Sequence, residues 1–433
     1  MRNRATNFNT RKELFVAVDL VIVGLGCVGL PLARAACTAG MSVIGYDISA
    51  EVVTGLAAGR SHVLDVPDGH LRTMQAAGFR ITRDAAVIAE ADTVVICVPT
   101  GLAADGTPDL RAVCSAARQV AIHLQPGSLV VLESTSYPGT TEDVVRPILQ
   151  DSGLTAGQDF HLAYSPERVD PGNRSFGIAN TARVVSGYTA SCAKRCDAFY
   201  SRFVDTVVTA RGTREAELAK LLENTYRCVN IALVNQIAVY CHQIDVDVWD
   251  VLRCAGTKPF GFQSFTPGPG VGGHCIPVDP SYLSYQARTQ GCEFDLIDAA
   301  QRINAEMPSH VVRRAQDILN GVAKPVRGSQ ILLLGVGYKP DAADLRQSPA
   351  FGVTRTLLDL GARLAYHDPH VPSFTVSGTL IPRVGDLEAA LIRADLTILL
   401  QDHRCYDPAR LARTAQLLFD TRGKITAEHV HRL

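Results

Sequence analysis

One stretch near the start of the chain, residues 19–47, constrains the fold more than any other. It reads DLVIVGLGCVGLPLARAACTAGMSVIGYD, with a short apolar run on each side of a glycine-rich turn and a helical pattern. In order, the pattern predicts a strand at Leu20–Val23, a turn with Gly24, Gly26 and Gly29, a helix at Leu30–Ala39 and a strand at Ser42–Tyr46. This order predicts a βαβ unit, and therefore an α/β domain on a parallel sheet.

The three glycines have the GxGxxG spacing of a dinucleotide-binding turn. The first glycine makes the tight turn, the second lets the backbone approach a pyrophosphate, and the third lets the helix pack on the strand. Asp47 ends the second strand, where a carboxylate would accept hydrogen bonds from the ribose hydroxyls and repel a 2′-phosphate. The unit is therefore predicted to bind NAD rather than NADP, through Gly24, Gly26, Cys27, Val28, Gly29 and Asp47.

Three further apolar runs end in polar residues and are predicted as strands of the same sheet. Thr93–Val98 is followed by Pro99 and Thr100, Leu129–Glu133 by Ser134 and Thr135, and Phe160–Tyr164 by a SPERVDPGN segment with Glu167 and Arg168. In an open parallel sheet, ligands lie beyond the carboxyl ends of the strands. A single loop charge is more often a solvated surface residue, but several polar groups at one edge predict a site for cofactor or substrate.

After these strands, Glu215–Ile244 reads as one long helix. Lys220, Asn224 and Arg227 follow one another at steps of four and three, so they project from one side of it. A polar row of this kind is either a solvated stripe or the lining of a site. The apolar residues of the helix cover more of its circumference than one packing face needs, which predicts a dimer contact.

The most unusual stretch is TPGPGVGGHCIPVDPSY, residues 266–282, with four glycines and four prolines around Cys275. So many glycines and prolines predict an irregular loop rather than a helix or an interior strand. A thiol there, with His274 beside it and Asp279 four residues on, is a candidate nucleophile for a covalent intermediate. The alternative is an inert cysteine in a glycine-rich surface loop.

The last part of the chain begins a second α/β unit. A strand at Gln330–Leu334 opens onto a glycine turn, but Pro340 stands where the third glycine of a dinucleotide fingerprint would be. Lys339 and Arg346 in this turn suit a phosphate or a carboxylate. A helix at Ala350–Leu360 then alternates with predicted strands at Arg363–Tyr366 and Leu396–Leu400.

Composition limits the class of partner. The chain has 433 residues and a formal net charge of −1 with both signs interspersed, so it lacks the basic footprint that nucleic acid or an anionic membrane surface requires. No apolar run approaches the roughly 18 residues of a bilayer span. Its 12 cysteines include no CxxC pair and follow no signal peptide, which is typical of reduced thiols in a cytoplasmic protein. Small molecules are the expected partners.

Taken together, these motifs resemble the UDP-sugar 6-dehydrogenases of the UDP-glucose/GDP-mannose dehydrogenase family. The motifs that carry the resemblance, in the family's order, are GLGCVGLPLA, CVPTG, ESTSYPGTT, SPERVDPGN, KLLENTYRCVNIALVN, TKPFGF, PGPGVGGHCIPVDP and GYKPDAADLRQSP. The resemblance implies two Rossmann-like, doubly wound α/β domains joined by a long central helix, with NAD in the first, a UDP-sugar substrate between them and a homodimer. The expected boundaries are a tail at 1–18, an NAD domain at 19–210, a central helical domain at 211–322 and a UDP-sugar domain at 323–433.

The resemblance also implies a chemistry. Oxidising a primary alcohol to an acid takes two hydride transfers, and Cys275 would hold the intermediate first as a thiohemiacetal and then as a thioester. Lys220 and Asp279 would meet the proton and oxyanion demands, and Asn224 would polarise the reacting oxygen. The further contacts implied are Thr135 and Glu167 for water or a proton; Pro99, Thr100, Ser134, Thr135 and Arg346 for the cofactor; and Glu167, Arg168, Lys220, Asn224, Arg227, Lys258, Phe260, Phe262, Gly268, Gly272 and Lys339 for the substrate. No metal is implied.

Within the family the motifs look most like the branch that oxidises UDP-N-acetylhexosamines, especially UDP-N-acetylglucosamine. The UDP-glucose branch more usually carries a lysine-containing sequence after its cysteine, where Val278 stands here. Cys27 replaces a common aromatic residue and Gly101 a usual proline. The alternatives are a UDP-glucose or UDP-N-acetylmannosamine dehydrogenase, a β-hydroxyacid or 6-phosphogluconate-type dehydrogenase, and a nucleotide-sugar-binding protein without turnover.

Overall fold

The structure is a computed structural model that describes residues 18–170, 173 and 175–433. The predicted tail at 1–18 lies outside this part of the chain except for Val18, which already belongs to the first strand. The described residues form two compact units, one of residues 18–100 and 109–220 and the other of residues 101–108 and 221–433. None of the helices among the described residues is long and apolar enough to cross a membrane.

The first unit is built on an eight-stranded sheet with helices on both faces. Its strands are β1 Val18–Val23, β2 Val43–Tyr46, β3 Arg80–Thr82, β4 Ala91–Ile96, β7 Leu129–Leu132, β8 His161–Tyr164, β9 Arg183–Gly187 and β10 Val207–Thr209. The short strands β5 Gly101–Leu102 and β6 Pro108–Asp109 pair with each other, and residues 101–108 belong to the second unit. Its helices are α1 Gly29–Thr38, α2 Ala50–Ala57, α3 Asp68–Ala76, α4 Arg111–His123, α5 Arg146–Gln150 and α6 Ala190–Tyr200, with a 3₁₀ turn at Ala85–Glu90 and a π-helical segment at Thr140–Val145.

The strand order of this sheet is β10-β9-β8-β7-β4-β1-β2-β3, and the β8–β9 pair is antiparallel while the other pairs are parallel. Alternate side chains of a strand point to opposite faces. Leu20 and Ile22 of β1 therefore pack into one hydrophobic core with α1, while Val21 and Val23 pack into a second core with α4. Burial on both faces explains why β1 reads as a continuous apolar run.

The helical part that follows consists of α7 Thr213–Gln243, α8 Val248–Ala255, α9 Asp279–Thr289 and α10 Asp295–Asn320. α7 has 31 residues and is about 46 Å long at 1.5 Å per residue. It carries a row of exposed apolar side chains: Leu218, Leu222, Tyr226, Leu233 and Tyr240. Such a surface is larger than a helix of one folded chain normally leaves to water.

The second unit ends in a parallel sheet of order β12-β11-β15-β16-β17. Its elements are β11 Gln330–Leu334, α11 Pro349–Asp359, β12 Arg363–His367, the hairpin β13 Thr375–Val376 and β14 Thr379–Leu380, α12 Leu387–Arg393, β15 Leu396–Leu399, α13 Pro408–Thr414, β16 Leu418–Asp420 and β17 His431–Arg432. As in β1, alternate residues of β11 pack into different cores, Ile331 and Leu333 on one face and Leu332 and Leu334 on the other. The fold class is confirmed: two doubly wound α/β parts and a long helix between them.

One local prediction is wrong. The stretch 266–282 is not irregular throughout, because its last residues, from Asp279 to Tyr282, form the first turn of α9. Pro280 is tolerated there because an N–H in the first turn of a helix would have no intrahelical partner. The helix thus begins four residues after Cys275, and the Asp279 N–H donates to the Cys275 carbonyl oxygen at 2.8 Å.

Candidate active site

The glycine-rich turn after β1 has the geometry that close backbone approach demands. Gly24 has a φ of 97°, a left-handed conformation that other L residues rarely adopt, and a Cβ there would lie 2.6 Å from the Cys97 carbonyl oxygen. A Cβ on Gly29 would lie 1.9 Å from the Gly24 carbonyl oxygen. At Gly26 nothing lies within 4 Å of the corresponding position, so this backbone is open to a ligand. The turn therefore fits the pyrophosphate of a dinucleotide.

Asp47 follows β2 and lies beside the same turn. Its Oδ2 accepts a hydrogen bond from the Leu25 N–H at 2.8 Å, its Oδ1 accepts one from the Ser49 N–H at 2.8 Å, and the residue is only partly buried. A carboxylate oxygen can accept more than one hydrogen bond, so both oxygens keep capacity for a ribose hydroxyl. Cys27 is exposed and Val28 immediately precedes α1, next to this position.

The second sheet repeats the arrangement with a different outcome. Asp368 follows β12, and its Oδ2 accepts hydrogen bonds from the Val336 N–H at 2.8 Å and the Gly337 N–H at 3.2 Å in the turn after β11. Asp368 is fully buried and also pairs with His403 at 3.0 Å. Although burial opposes it, the hydrogen bonds from His403 and the backbone hold the pKa of Asp368 well below its usual value. This carboxylate is occupied within the protein and closed to a ribose.

Within the described residues, Asp341, His370 and His403 bring metal-ligand atoms within 4.8 Å of one another. Both ring nitrogens of His403 are already engaged, because Nδ1 accepts from the Asp341 N–H at 2.9 Å and Nε2 contacts Asp368 at 3.0 Å. Asp341 in turn pairs with Arg404. The cluster therefore fixes the conformation of the loop around Asp341 and offers no open coordination set.

At the carboxyl end of β7, the predicted polar residues are held from within the first unit. The Ser134 hydroxyl donates to the Val98 carbonyl oxygen at 2.7 Å, and both Ser134 and Thr100 are buried. Thr135 remains partly exposed, and Pro99 is exposed. Thr135 therefore presents an accessible hydroxyl between the buried residues Ser134 and Ser136.

Glu167 is tied to a buried ionic cluster. Its Oε2 contacts an Arg183 guanidinium nitrogen at 3.0 Å, and its Oε1 accepts from the Val169 N–H at 2.6 Å. The Arg183 side chain is only 4% exposed and also pairs with Glu133, whose carboxylate accepts from the Tyr200 hydroxyl. A buried charge is stable only when paired in this way, so the cluster fixes the orientation of Glu167.

Lys220 lies on α7 and contacts the same segment. Its Nζ donates to the Glu167 carbonyl oxygen at 2.5 Å, and the residue is 9% exposed. Arg168, which follows Glu167 in the sequence, donates from its guanidinium to the Ala182 carbonyl oxygen at 2.6 Å. The structure thus brings Lys220 and Glu167 together inside the first unit.

In the second unit, Cys275, Asp279 and Asn224 form another group. Asn224 donates from Nδ2 to the Asp279 Oδ2 at 2.5 Å, and Asp279 is fully buried in the first turn of α9. Cys275 is exposed, one helical turn before Asp279. The Asp279 N–H donates to the Cys275 carbonyl oxygen at 2.8 Å, so the exposed cysteine and the buried carboxylate belong to one turn of the backbone.

The backbone before Cys275 rests on the glycine turn of the second sheet. A Cβ on Gly272 would lie 2.4 Å from the Tyr338 Cβ, and one on Gly273 would lie 2.8 Å from the Tyr338 ring. The Gly273 N–H donates to the Arg346 carbonyl oxygen at 2.9 Å. The glycines are therefore required by packing against Tyr338, which sequence reasoning did not identify.

The other predicted contact residues lie in more open surroundings. Arg346 makes a bidentate pair with Asp344, from Nε to Oδ1 at 3.0 Å and from Nη2 to Oδ2 at 2.6 Å, and Lys339 is partly buried in the same turn. Lys258 lies 5.2 Å from the centroid of the Phe260 ring in a loop after α8. Arg227 of α7, Phe260 and Phe262 are exposed.

Sequence reasoning missed one further cation near residues 266–278, the loop that carries Cys275 and is called the cysteine loop below. A Cβ added to Gly268 would lie 3.0 Å from the Arg422 guanidinium, so this cation lies against the Gly268 backbone. The Gly268 N–H donates to the Asn235 Oδ1 at 3.0 Å. Arg422 follows β16 and donates to the Leu400 carbonyl oxygen at 2.7 Å. Its position after a parallel strand was the signal that could have identified it.

Three segments of the chain match domains of one family. Residues 18–204 match the NAD binding domain of the UDP-glucose/GDP-mannose dehydrogenase family, residues 214–306 its central domain and residues 332–427 its UDP binding domain. A UDP-N-acetyl-D-mannosamine dehydrogenase of Salmonella typhi is 34% identical over 397 residues, covering 88% of this chain and 93% of its own. A UDP-N-acetyl-D-glucosamine 6-dehydrogenase of Salmonella typhi is 36% identical over 359 residues, covering 82% and 83%.

The fold comparison agrees with the sequence comparison. The structure of a UDP-D-ManNAc dehydrogenase from Pyrococcus horikoshii matches with a TM-score of 0.87 and 31% identity, covering 96% of this chain and 98% of that one. Together with the glycine turn and Asp47, the NAD binding domain match confirms NAD as the cofactor. The chain belongs to the UDP-glucose/GDP-mannose dehydrogenase family and is an NAD-dependent oxidoreductase of nucleotide sugars.

Proposed function

We propose that this chain oxidises the 6-hydroxymethyl group of a UDP-N-acetylhexosamine to the carboxylic acid through a covalent intermediate on Cys275. The observation that carries the proposal is the exposed Cys275 thiol at the start of a helical turn that ends at buried Asp279, with Asn224 bonded to Asp279 at 2.5 Å. Oxidation of an alcohol to an aldehyde makes no use of a thiol, whereas oxidation of an aldehyde to an acid needs a hydrated or covalently held aldehyde, and a thiol can hold it.

The thiol explains the second oxidation. The Cys275 sulfur adds to the aldehyde carbon and forms a thiohemiacetal, oxidation of this adduct gives a thioester, and water then releases the acid and the free thiol. NAD supplies the hydride acceptor for both oxidations. Asp279 and Asn224 are proposed to stabilise the oxygen that carries developing charge.

In the first unit, Lys220 is proposed to exchange the proton of the reacting hydroxyl. Its ammonium group is held by the Glu167 carbonyl oxygen, which keeps the side chain in one orientation. Thr135 and Glu167 are proposed to position water or a proton. These roles rest on the family resemblance and on the contacts within each unit.

The cofactor and UDP contacts are proposed on the same basis. The turn from Gly24 to Gly29 and Asp47 would bind NAD, with Pro99, Thr100 and Ser134 close to it and Arg346 reaching the cofactor. The proposed UDP-sugar contacts are Arg168, Arg227, Lys258, Phe260, Phe262, Gly268, Gly272 and Lys339.

For the sugar, we propose UDP-N-acetylglucosamine as the first candidate because of the ESTSYPGTT, SPERVDPGN, TKPFGF and GGHCIPVDP motifs. UDP-N-acetylmannosamine is the second candidate, because a relative that is 34% identical carries that activity in its name. The test is NADH formation, followed by its absorbance at a saturating concentration of NAD. The substrates are these two sugars, UDP-glucose and UDP-N-acetylgalactosamine. Turnover with UDP-glucose alone would contradict the proposal, and binding without NADH would favour a silent nucleotide-sugar-binding protein.

Replacement of Cys275 tests the covalent step. Cys275→Ser keeps the loop backbone, so the variant is expected to bind UDP-sugar and NAD while multiple turnover collapses, because a serine ester is formed and hydrolysed slowly. Intact-mass measurement should show a trapped adduct or an accumulating aldehyde. Uronic acid formation at the unmodified rate would contradict the covalent mechanism, whereas one NADH per substrate with a carbonyl product would favour a β-hydroxyacid-type dehydrogenase.

We also propose a homodimer formed through α7. Leu222 is 60% exposed and Leu233 is 55% exposed, on a helix that already buries Leu221, Cys228 and Ala232 on another side. A second copy of the chain would remove this apolar surface from water.

A further inference from the structure

A buried carboxylate on α7 connects two parts of the first unit that carry proposed catalytic residues. Glu217 is fully buried and lies three residues before Lys220. Its Oε2 accepts from the Gly139 N–H at 2.6 Å, and its Oε1 accepts from the Thr141 N–H at 2.9 Å, the Thr141 hydroxyl at 2.7 Å and the Ser136 hydroxyl at 3.4 Å. One side chain therefore receives four hydrogen bonds from a single turn.

These donors explain why a carboxylate is needed. The π-helical segment Thr140–Val145 starts directly after Gly139 and continues into α5, and the first N–H groups of a helix have no partner within it. Burial raises the pKa of Glu217 to about 7, while the hydrogen bonds from Thr141, Gly139 and Ser136 favour the charged form, and a negative charge at this end complements the helix dipole. Glu217 therefore supplies from α7 the acceptors that the start of this helix lacks.

The same turn carries Thr135. The Ser134 hydroxyl donates to the Val98 carbonyl oxygen at 2.7 Å, and the Ser136 hydroxyl donates to Glu217, so Thr135 is held on both sides. On α7, one turn after Glu217, Lys220 donates to the Glu167 carbonyl oxygen at 2.5 Å. Glu217 thus sets the position of the Thr135 turn relative to the helix that carries Lys220.

We propose that Glu217 is a positioning residue for the oxidation, acting through the turn that carries Thr135 and not through contact with substrate. This inference rests on the proposed function, because the geometry of Thr135 and Lys220 matters only if they take part in the reaction. Glu217 lies inside the protein with all four donors from its own unit, so a direct role at the reacting atoms is not required of it.

The test is Glu217→Gln, with Glu215→Gln as the matched control. Glu215 is exposed and lies on the same helix, two residues earlier. The amide of the glutamine must present its NH₂ group to at least one of the donors, which leaves buried hydrogen-bonding groups unmatched. We expect kcat of Glu217→Gln to fall about tenfold or more while KM for NAD and for the UDP-sugar changes less than about threefold. Glu215→Gln should match the unmodified enzyme.

A double-mutant cycle separates positioning from general loss of stability. Ser136→Ala removes one donor to Glu217, so its effect on kcat should be largely absent in the Glu217→Gln background if both act through the same turn. If Glu217→Gln does not fold, Thr141→Val removes only the hydroxyl donor and should lower kcat about threefold at unchanged KM. Assays are made well below the melting temperature of every variant.

The outcomes are distinct. Unmodified kcat in Glu217→Gln, or a fully additive cycle with Ser136→Ala, would overturn the positioning role while leaving the proposed function intact. An unmodified enzyme that forms no NADH from any UDP-sugar would overturn the proposed function and the positioning role with it.

Discussion

Replacing Gly272 with alanine is expected to separate folding from catalysis. The new Cβ would lie 2.4 Å from the Tyr338 Cβ and 3.0 Å from the Gln347 carbonyl oxygen. Carbon atoms prefer a separation of about 3.5–4.0 Å, so the overlap is about 1 Å. The Tyr338 Cβ cannot rotate away, because its backbone N–H donates to the Asp344 carbonyl oxygen at 3.0 Å and its carbonyl oxygen accepts from Gln401 at 2.5 Å.

The cysteine loop must therefore move by a distance of this order, and Cys275 lies three residues further on. Overpacking of this kind costs about 1–3 kcal/mol of stability, and a misplacement of about 1 Å at a reacting group costs about 100-fold in rate. We expect Gly272→Ala to fold with a lower melting temperature and to lose about 100-fold in kcat, measured as NADH formation. The rate of Cys275 alkylation by iodoacetamide, followed by mass spectrometry, should change in the same variant.

The matched control is Gly69→Ala on α3, where nothing lies within 4 Å of the added Cβ. This variant should keep the unmodified kcat and thiol reactivity. If Gly272→Ala kept kcat within about threefold of the unmodified enzyme, the reasoning that Tyr338 fixes the cysteine loop would be refuted.

Three other predictions address pH, cofactor and assembly. Burial, with Arg313 and Arg314 close by, lowers the pKa of His310 to about 4. The stability that the neutral imidazole contributes is therefore complete above its unfolded pKa and is lost as the pH decreases toward the folded pKa. Between pH 7 and 4.5, the free energy of unfolding measured by urea denaturation should decrease by about 2 kcal/mol more in the unmodified protein than in His310→Gln. Asp47→Ser should narrow the preference for NAD over NADP, and equal turnover with both cofactors in the unmodified enzyme would contradict this. Leu222→Asp should yield a monomer by light scattering at micromolar concentration, whereas an unmodified monomer would refute the dimer.

Elements with a strong local period were predictable. The apolar pattern of residues 295–319 predicts a helix, and the structure has α10 at Asp295–Asn320 although Pro308 lies inside it. The burial of the apolar face outweighs the backbone hydrogen bond that proline removes. Pro308 packs against Gly352, where an added Cβ would lie 2.9 Å from the Pro308 Cβ. By contrast, the start of α9 at Asp279 could not be predicted, because the surrounding glycines and prolines indicate an irregular loop and obscure the helical period.

Candidate site residues can be proposed from the sequence wherever a local pattern marks them. Asp47 follows a strand at the spacing of a ribose-binding acid, and Lys220 lies on a helix with a polar row, so both could be identified. Glu217 and Tyr338 could not, since their partners lie 78 and 66 residues away and local sequence does not encode such contacts. The proposed domain boundaries and site residues stay predictions.

The most direct test of the covalent oxidation is the amount of NADH formed per molecule of UDP-sugar consumed. A limiting amount of UDP-N-acetylhexosamine is incubated with excess NAD until the absorbance of NADH is constant, and the mass of the product is measured by mass spectrometry. Two NADH per sugar and a product heavier by the exchange of two hydrogens for one oxygen are expected, because both oxidations occur before release. One NADH per sugar with a free aldehyde or ketone as the final product would contradict it.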